Sequence, residues 1–221
     1  TTPAVLADTE NVSLLTDYTD DSTFIATYHR GARIPMVGCF QYNGTIFYEV
    51  AGGYISSDRA TVAPEPAVTE TTLGSITSAT EGRLTPITMP CGSYPAATVK
   101  REGNLLTVYL ENTALPQSTA GIAAPMVTEA RWEAVSGGVN LLLTLDEENY
   151  WGYDLQYTEE GDLLLSLKQP PRLSTTAGKP LEGVTVMVDP GHGNKDCGAY
   201  GAAGLYGPAE AELNLAVSLA L

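Results

Sequence analysis

Gln41-Tyr42-Asn43-Gly44-Thr45-Ile46-Phe47-Tyr48-Glu49-Val50 reads as a β-hairpin. Asn-Gly supplies the two positive φ angles of a type I′ turn, and the Tyr, Ile, Phe and Val on its far side are strand formers. Around it, from Asn11 to Val62, short segments rich in Tyr, Thr, Ile and Val are broken by turns: Thr16 to Ser22 carries three Asp, and Gly52-Gly53 closes the hairpin's outgoing strand. This predicts a small antiparallel barrel over residues 10–63. Ala63-Pro64-Glu65-Pro66 follows as a linker, where two prolines stiffen the chain. Beyond it lie further strand segments, Leu105–Leu110, Val139–Leu145, Tyr150–Tyr157 and Leu163–Leu167, separated by Glu102-Gly103-Asn104, Ser136-Gly137-Gly138 and Glu159-Glu160-Gly161-Asp162. Strands at that spacing without an intervening amphipathic helix predict a β-sandwich over 68–173, the last three strands forming a meander. Trp151, Tyr153 and Tyr157 fall on one face of such a strand. Core filling is the plainer reading of that trio, and stacking on sugar rings is the functional one.

The pattern changes at Lys179. Val184-Thr185-Val186-Met187-Val188 reads as a strand buried on both faces of a parallel sheet, and Glu210 to Leu221 has helical spacing at Leu213, Ala216, Val217 and Ala220. Between them runs Asp189-Pro190-Gly191-His192-Gly193-Asn194-Lys195-Asp196-Cys197-Gly198-Ala199. The glycine spacing does not fit a dinucleotide fingerprint, and Pro190 stands in the turn. A structural turn and a metal site both remain open. In favour of metal, His192 lies where open α/β sheets place ligands, and Glu210 enters from the following helix. The other histidine, His29, lies in the first β-module and reads as an ordinary surface or barrel residue.

The Val188-Asp189-Pro190-Gly191-His192-Gly193 stretch, with Lys195-Asp196, Gly198-Ala199, Gly204 and Glu210-Ala211-Glu212-Leu213-Asn214-Leu215-Ala216, closely resembles the zinc-dependent N-acetylmuramoyl-L-alanine amidases. The resemblance implies an α/β catalytic domain beginning near 179, with its first strand and helix within 179–221. It also implies that His192 and Glu210 are zinc ligands; Glu212 is the competing carboxylate, and counting back from Asn214 selects Glu210. Gly207-Pro208-Ala209 departs from the family's pattern just before that ligand. The implied reaction is hydrolysis of the amide between muramic acid and L-alanine in peptidoglycan. The family's second ligand His and its general base are expected downstream of Leu221, so residues 1–221 alone are expected to be inactive and to bind zinc weakly or not at all. The chain breaks off within an apolar helical pattern, which reads as a cut sequence.

The first β-module resembles the bacterial relatives of Src-homology barrels found in wall enzymes. The match rests on the acidic opening with Tyr18, Arg30-Gly31-Ala32-Arg33-Ile34-Pro35, the Tyr42–Val50 hairpin and Gly53-Tyr54-Ile55-Ser56-Ser57. The second resembles the AMIN-type sandwich in outline. Together these imply a secreted bacterial protein acting at the cell wall, with peptidoglycan as partner and a protein regulator as a further one. The alternative reading is a non-catalytic wall-binding or protein-interaction module.

Composition narrows the classes of partner. Among 221 residues, 43% are hydrophobic and 17% charged, with a net charge of −15. Such an excess of carboxylates disfavours nucleic acid and anionic membranes. No apolar run approaches the roughly 18–20 residues needed to span a bilayer, nothing after the opening TTPAVLADTE resembles a signal-peptide core, and the start without Met suggests a processed or trimmed product. Cys39, Cys91 and Cys197 are too scattered for a disulfide framework and read as separate small buried side chains.

Overall fold

The computed structural model describes residues 2–119 and 121–221. The chain divides into two compact units, one ending at Pro170 and one spanning Pro171–Leu221. The described residues are mainly β, 43% strand and 7% helix.

The first unit opens with β1 (Ala4–Ala7), β2 (Val12–Leu15), β3 (Phe24–Tyr28), β4 (Arg33–Tyr42), β5 (Thr45–Val50), β6 (Gly53–Ser56) and β7 (Ala60–Val62). They form one antiparallel seven-stranded sheet in the order β3-β2-β6-β5-β4-β1-β7. The Asn43-Gly44 turn is as expected: both residues have positive φ, 48° and 89°, and Tyr42 pairs with Thr45. Among the described residues no pairing joins β3 to β7 to close a barrel. Instead β3 packs against the strand Ala97–Glu102 of the next module. β1, which lies ahead of the expected boundary at residue 10, sits between β4 and β7. Ile34, Ile55, Tyr28, Tyr48 and Val50 fill the core beneath this sheet.

The remaining strands are β8 (Thr77–Ser78), β9 (Leu84–Met89), β10 (Ala97–Glu102), β11 (Leu105–Glu111), β12 (Val127–Val135), β13 (Gly138–Leu145), β14 (Gly152–Tyr157) and β15 (Leu163–Lys168). They make two four-stranded sheets, β10-β11-β13-β12 and β14-β15-β9-β8. Leu106, Val108, Leu110, Leu141 and Leu143 of the first meet Ile87, Met89, Leu155, Leu163, Leu165 and Leu167 of the second in one core, as a sandwich requires. The expected meander is not formed. β13 pairs with β11 and β12, whereas β14 crosses to the other sheet and pairs with β15. Alternation fixes which face a strand buries but does not choose its neighbour.

The two β-modules belong to the same unit. Arg33 N–H donates to the Tyr94 carbonyl at 3.0 Å, Ala96 joins the first core, and Tyr157 packs against both cores. The aromatic trio therefore separates. Tyr153 and Tyr157 pack on buried residues, while Trp151 stands before β14, is 59% exposed, and has the Arg83 guanidinium 5.7 Å from its ring centroid. Cys39 is exposed rather than buried, and Cys91 and Cys197 are half-buried; all three are free thiols.

In the second unit, α1 (Glu210–Ala220) forms where the spacing predicted it. The expected strand does not: residues 184–188 have no regular structure, and Met187 is 89% exposed. A strand buried on both faces needs a hydrogen-bonded neighbour, and no described strand pairs with this run. No described helix is long and apolar enough to cross a membrane.

Candidate functional site

The Gly191–Ala199 loop folds back onto the start of α1. Gly193 N–H donates to the Asp196 carbonyl at 2.7 Å and Asp196 N–H returns to Gly193 O at 2.9 Å, a tight turn that brings the Asp196 carboxylate to the Nδ1 edge of His192. His192 itself is held at φ +64°, an uncommon conformation for a side-chain-bearing residue. The loop is pinned to the helix by Asn214, whose Nδ2 donates to Gly191 O at 3.0 Å, and by Ala199 N–H, which donates to Glu210 Oε2 at 2.9 Å.

These constraints place a carboxylate at each imidazole nitrogen. Asp196 Oδ2 lies 2.8 Å from Nδ1 and Glu210 Oε2 lies 3.3 Å from Nε2. The hydrogen bond to Asp196 raises the His192 pKa above its ordinary value, with the Asp196 and Glu210 charges adding to it. The same hydrogen bond, helped by the Gly198 N–H on Oδ1, lowers that of Asp196.

Glu210 and Glu212 take different roles. Glu210 faces His192, whereas the Glu212 carboxylate accepts the Ala209 N–H at 3.3 Å and caps α1. Gly207-Pro208-Ala209 does not prevent the helix from starting at Glu210. Beside the imidazole lies a cleft of about 480 Å³, lined by Pro190, Asn194, Cys197, Tyr200, Ala209 and Leu215 among others.

The donor set suits a zinc ion in part. Two donors about 2.0–2.2 Å from a tetrahedral ion stand about 3.3–3.6 Å apart, and Nε2 and Oε2 are separated by 3.3 Å. A carboxylate on the far nitrogen is the usual support for a metal-binding imidazole. Among the described residues, no group of three or more His, Cys, Asp or Glu side chains is arranged to hold a metal. The loop thus presents two candidate ligands and their support. Asp196 is the residue that reading the sequence did not assign; its position four residues after His192 in a glycine-bounded turn was the available signal. His29 lies in the first unit near Glu10 and Asp154, and burial lowers its pKa against the pull of those two carboxylates. Set against known protein families, curated proteins and solved structures, the chain matches none.

Proposed function

We propose that this chain belongs to a secreted bacterial peptidoglycan hydrolase, an N-acetylmuramoyl-L-alanine amidase, in which His192 and Glu210 hold zinc. The observation that supports it most is the convergence of His192 Nε2 and Glu210 Oε2 at 3.3 Å, with Asp196 on the opposite imidazole nitrogen. Asp196 accepts a proton-bearing Nδ1 and so leaves the Nε2 lone pair facing the ion. Glu210 contributes a negative charge to the same point, and the Ala199 N–H fixes which of its oxygens is turned there. When bound, zinc supplies Lewis acidity toward the scissile carbonyl and lowers the pKa of water to about 7. A third protein ligand and the general base come, in this reading, from residues beyond Leu221. The β-modules hold the enzyme at the wall.

The decisive assay uses the protein extended past Leu221 on purified peptidoglycan, following release of peptides with a free L-alanine amino terminus. The expected result is release that is lost in His192→Ala and in Glu210→Ala; activity unchanged by either substitution refutes the metal assignment. For residues 1–221 alone, calorimetry is expected to show zinc binding far weaker than nanomolar, because two ligands are fewer than the three a catalytic site uses.

A further inference from the structure

The sheet of the first module carries an aromatic assembly on the face turned away from its core. Tyr48, Val50 and Ile55 point inward, so alternation puts Phe47 and Glu49 of β5 on the other face. Register then places Phe40 of β4 opposite Phe47 and Tyr54 of β6 opposite Glu49. Tyr42, two residues beyond Phe40, shares that face. Tyr18, from the loop between β2 and β3, lies among these rings, with centroids 4.8 Å from Phe40, 5.1 Å from Tyr42, 5.2 Å from Tyr54 and 5.8 Å from Phe47. Tyr42 remains 38% exposed, and Tyr18, Phe40 and Tyr54 are half-buried.

The segments that carry the rings are rich in carboxylates. The Glu49 carboxylate lies over Gly38, where an added Cβ would meet Oε2 at 3.3 Å. Residues 12–56, which span β2 to β6, contain Asp17, Asp20, Asp21 and Glu49, and their two cations, Arg30 and Arg33, are ion-paired with Glu10 and Glu65. Aromatic π faces and carboxylates both attract cations, and neither suits an anion.

We propose that this face docks a peptide bearing lysine-type primary ammonium groups. The methylene stem of such a side chain lies along the Tyr42, Phe40 and Tyr54 rings while its ammonium reaches the Glu49 carboxylate. The inference stands on this sheet alone and does not depend on the amidase reading.

The test is titration of residues 1–221 with an acetylated, amidated (Gly-Lys)3 peptide, read by calorimetry and by side-chain chemical shifts. Saturable binding is expected, with shifts at Tyr18, Tyr42 and Tyr54. It should weaken about ten-fold or more in Tyr42→Ala and in Glu49→Gln, vanish when the lysine amines are acetylated, and be unchanged in Glu148→Gln on the sandwich. Absence of saturable binding overturns the proposal. An equal loss in Glu148→Gln and Glu49→Gln also overturns it, because the attraction is then to the net charge of the chain.

Discussion

His192 Nε2 stands 3.3 Å from Glu210 Oε2, and the space between the loop and the helix is kept by Gly198. A Cβ on Gly198 would lie 2.8 Å from His192 Cδ2 and 2.9 Å from both Cβ and Oε2 of Glu210, and the residue is at φ +66°. Gly198→Ala therefore pushes both candidate ligands apart while adding backbone strain. On the amidase proposal, this substitution in the protein extended past Leu221 is expected to lower peptidoglycan hydrolysis about 100-fold, as an ångström of misplacement does. The β-rich unit should keep its far-ultraviolet circular dichroism. Full activity in Gly198→Ala would mean that the His192–Glu210 spacing is irrelevant to the chemistry.

Asp196 bears on the same pair from the other side of the ring. Asp196→Asn can retain an oxygen for the Gly198 N–H but removes the charge that holds Nδ1. Loss of such a support typically costs about 10–100-fold in metal affinity. That range is expected for zinc affinity of the extended protein, measured by competition with a chelator, and a change below about two-fold would assign Asp196 to the turn alone.

Local chemistry was legible in the sequence wherever it acts over a few residues. Asn43-Gly44 specifies its own hairpin, and period-two burial marks β11 and β13 whatever they pair with. Long-range choices were not. β9 contains Pro86, which argues against a central strand. It is tolerated because β8 pairs only at Ile87 and Thr88, leaving that side of Pro86 effectively an edge. The run 184–188 shows the reverse: its composition is that of a buried strand, but composition cannot form one without a neighbour. At the site, His192 stood out by type and position and counting back from Asn214 selected Glu210 over Glu212, whereas Asp196 reaches the imidazole only through the Gly193–Asp196 turn.

Asp162 stabilises the sandwich at the β14–β15 connection. Its Oδ1 accepts the N–H groups of Cys91 and Gly92, both at 2.8 Å, and ties that connection to the loop after β9. Removing a charged acceptor from paired donors costs about 2 kcal/mol. Asp162→Ala should accordingly lower the melting temperature by about 4–8 °C for a unit of this size, and Asp162→Asn by less, since one oxygen remains. Urea unfolding followed through Trp132 and Trp151 measures the difference, and equal stability of Asp162→Ala and the parent would contradict it.

Glu111 works in the opposite direction. It lies at the end of β11, half-buried, and burial raises its pKa above the ordinary carboxylate value. Its charge also helps to raise the pKa of Tyr28, which burial already pushes upward. A carboxyl whose folded pKa lies above its unfolded one favours the folded state while protonated, and that contribution is lost as the pH rises through the folded value. At neutral pH the ionised group is thus a cost. Glu111→Gln, which keeps the shape and removes the charge, should unfold about 1–3 °C higher than the parent at pH 7. Below about pH 4, where Glu111 is protonated in both states, the gap should close. Thermal unfolding of the two proteins across that range decides the matter, and a gap that stays constant or widens toward acid would show that the desolvated charge of Glu111 is not its cause.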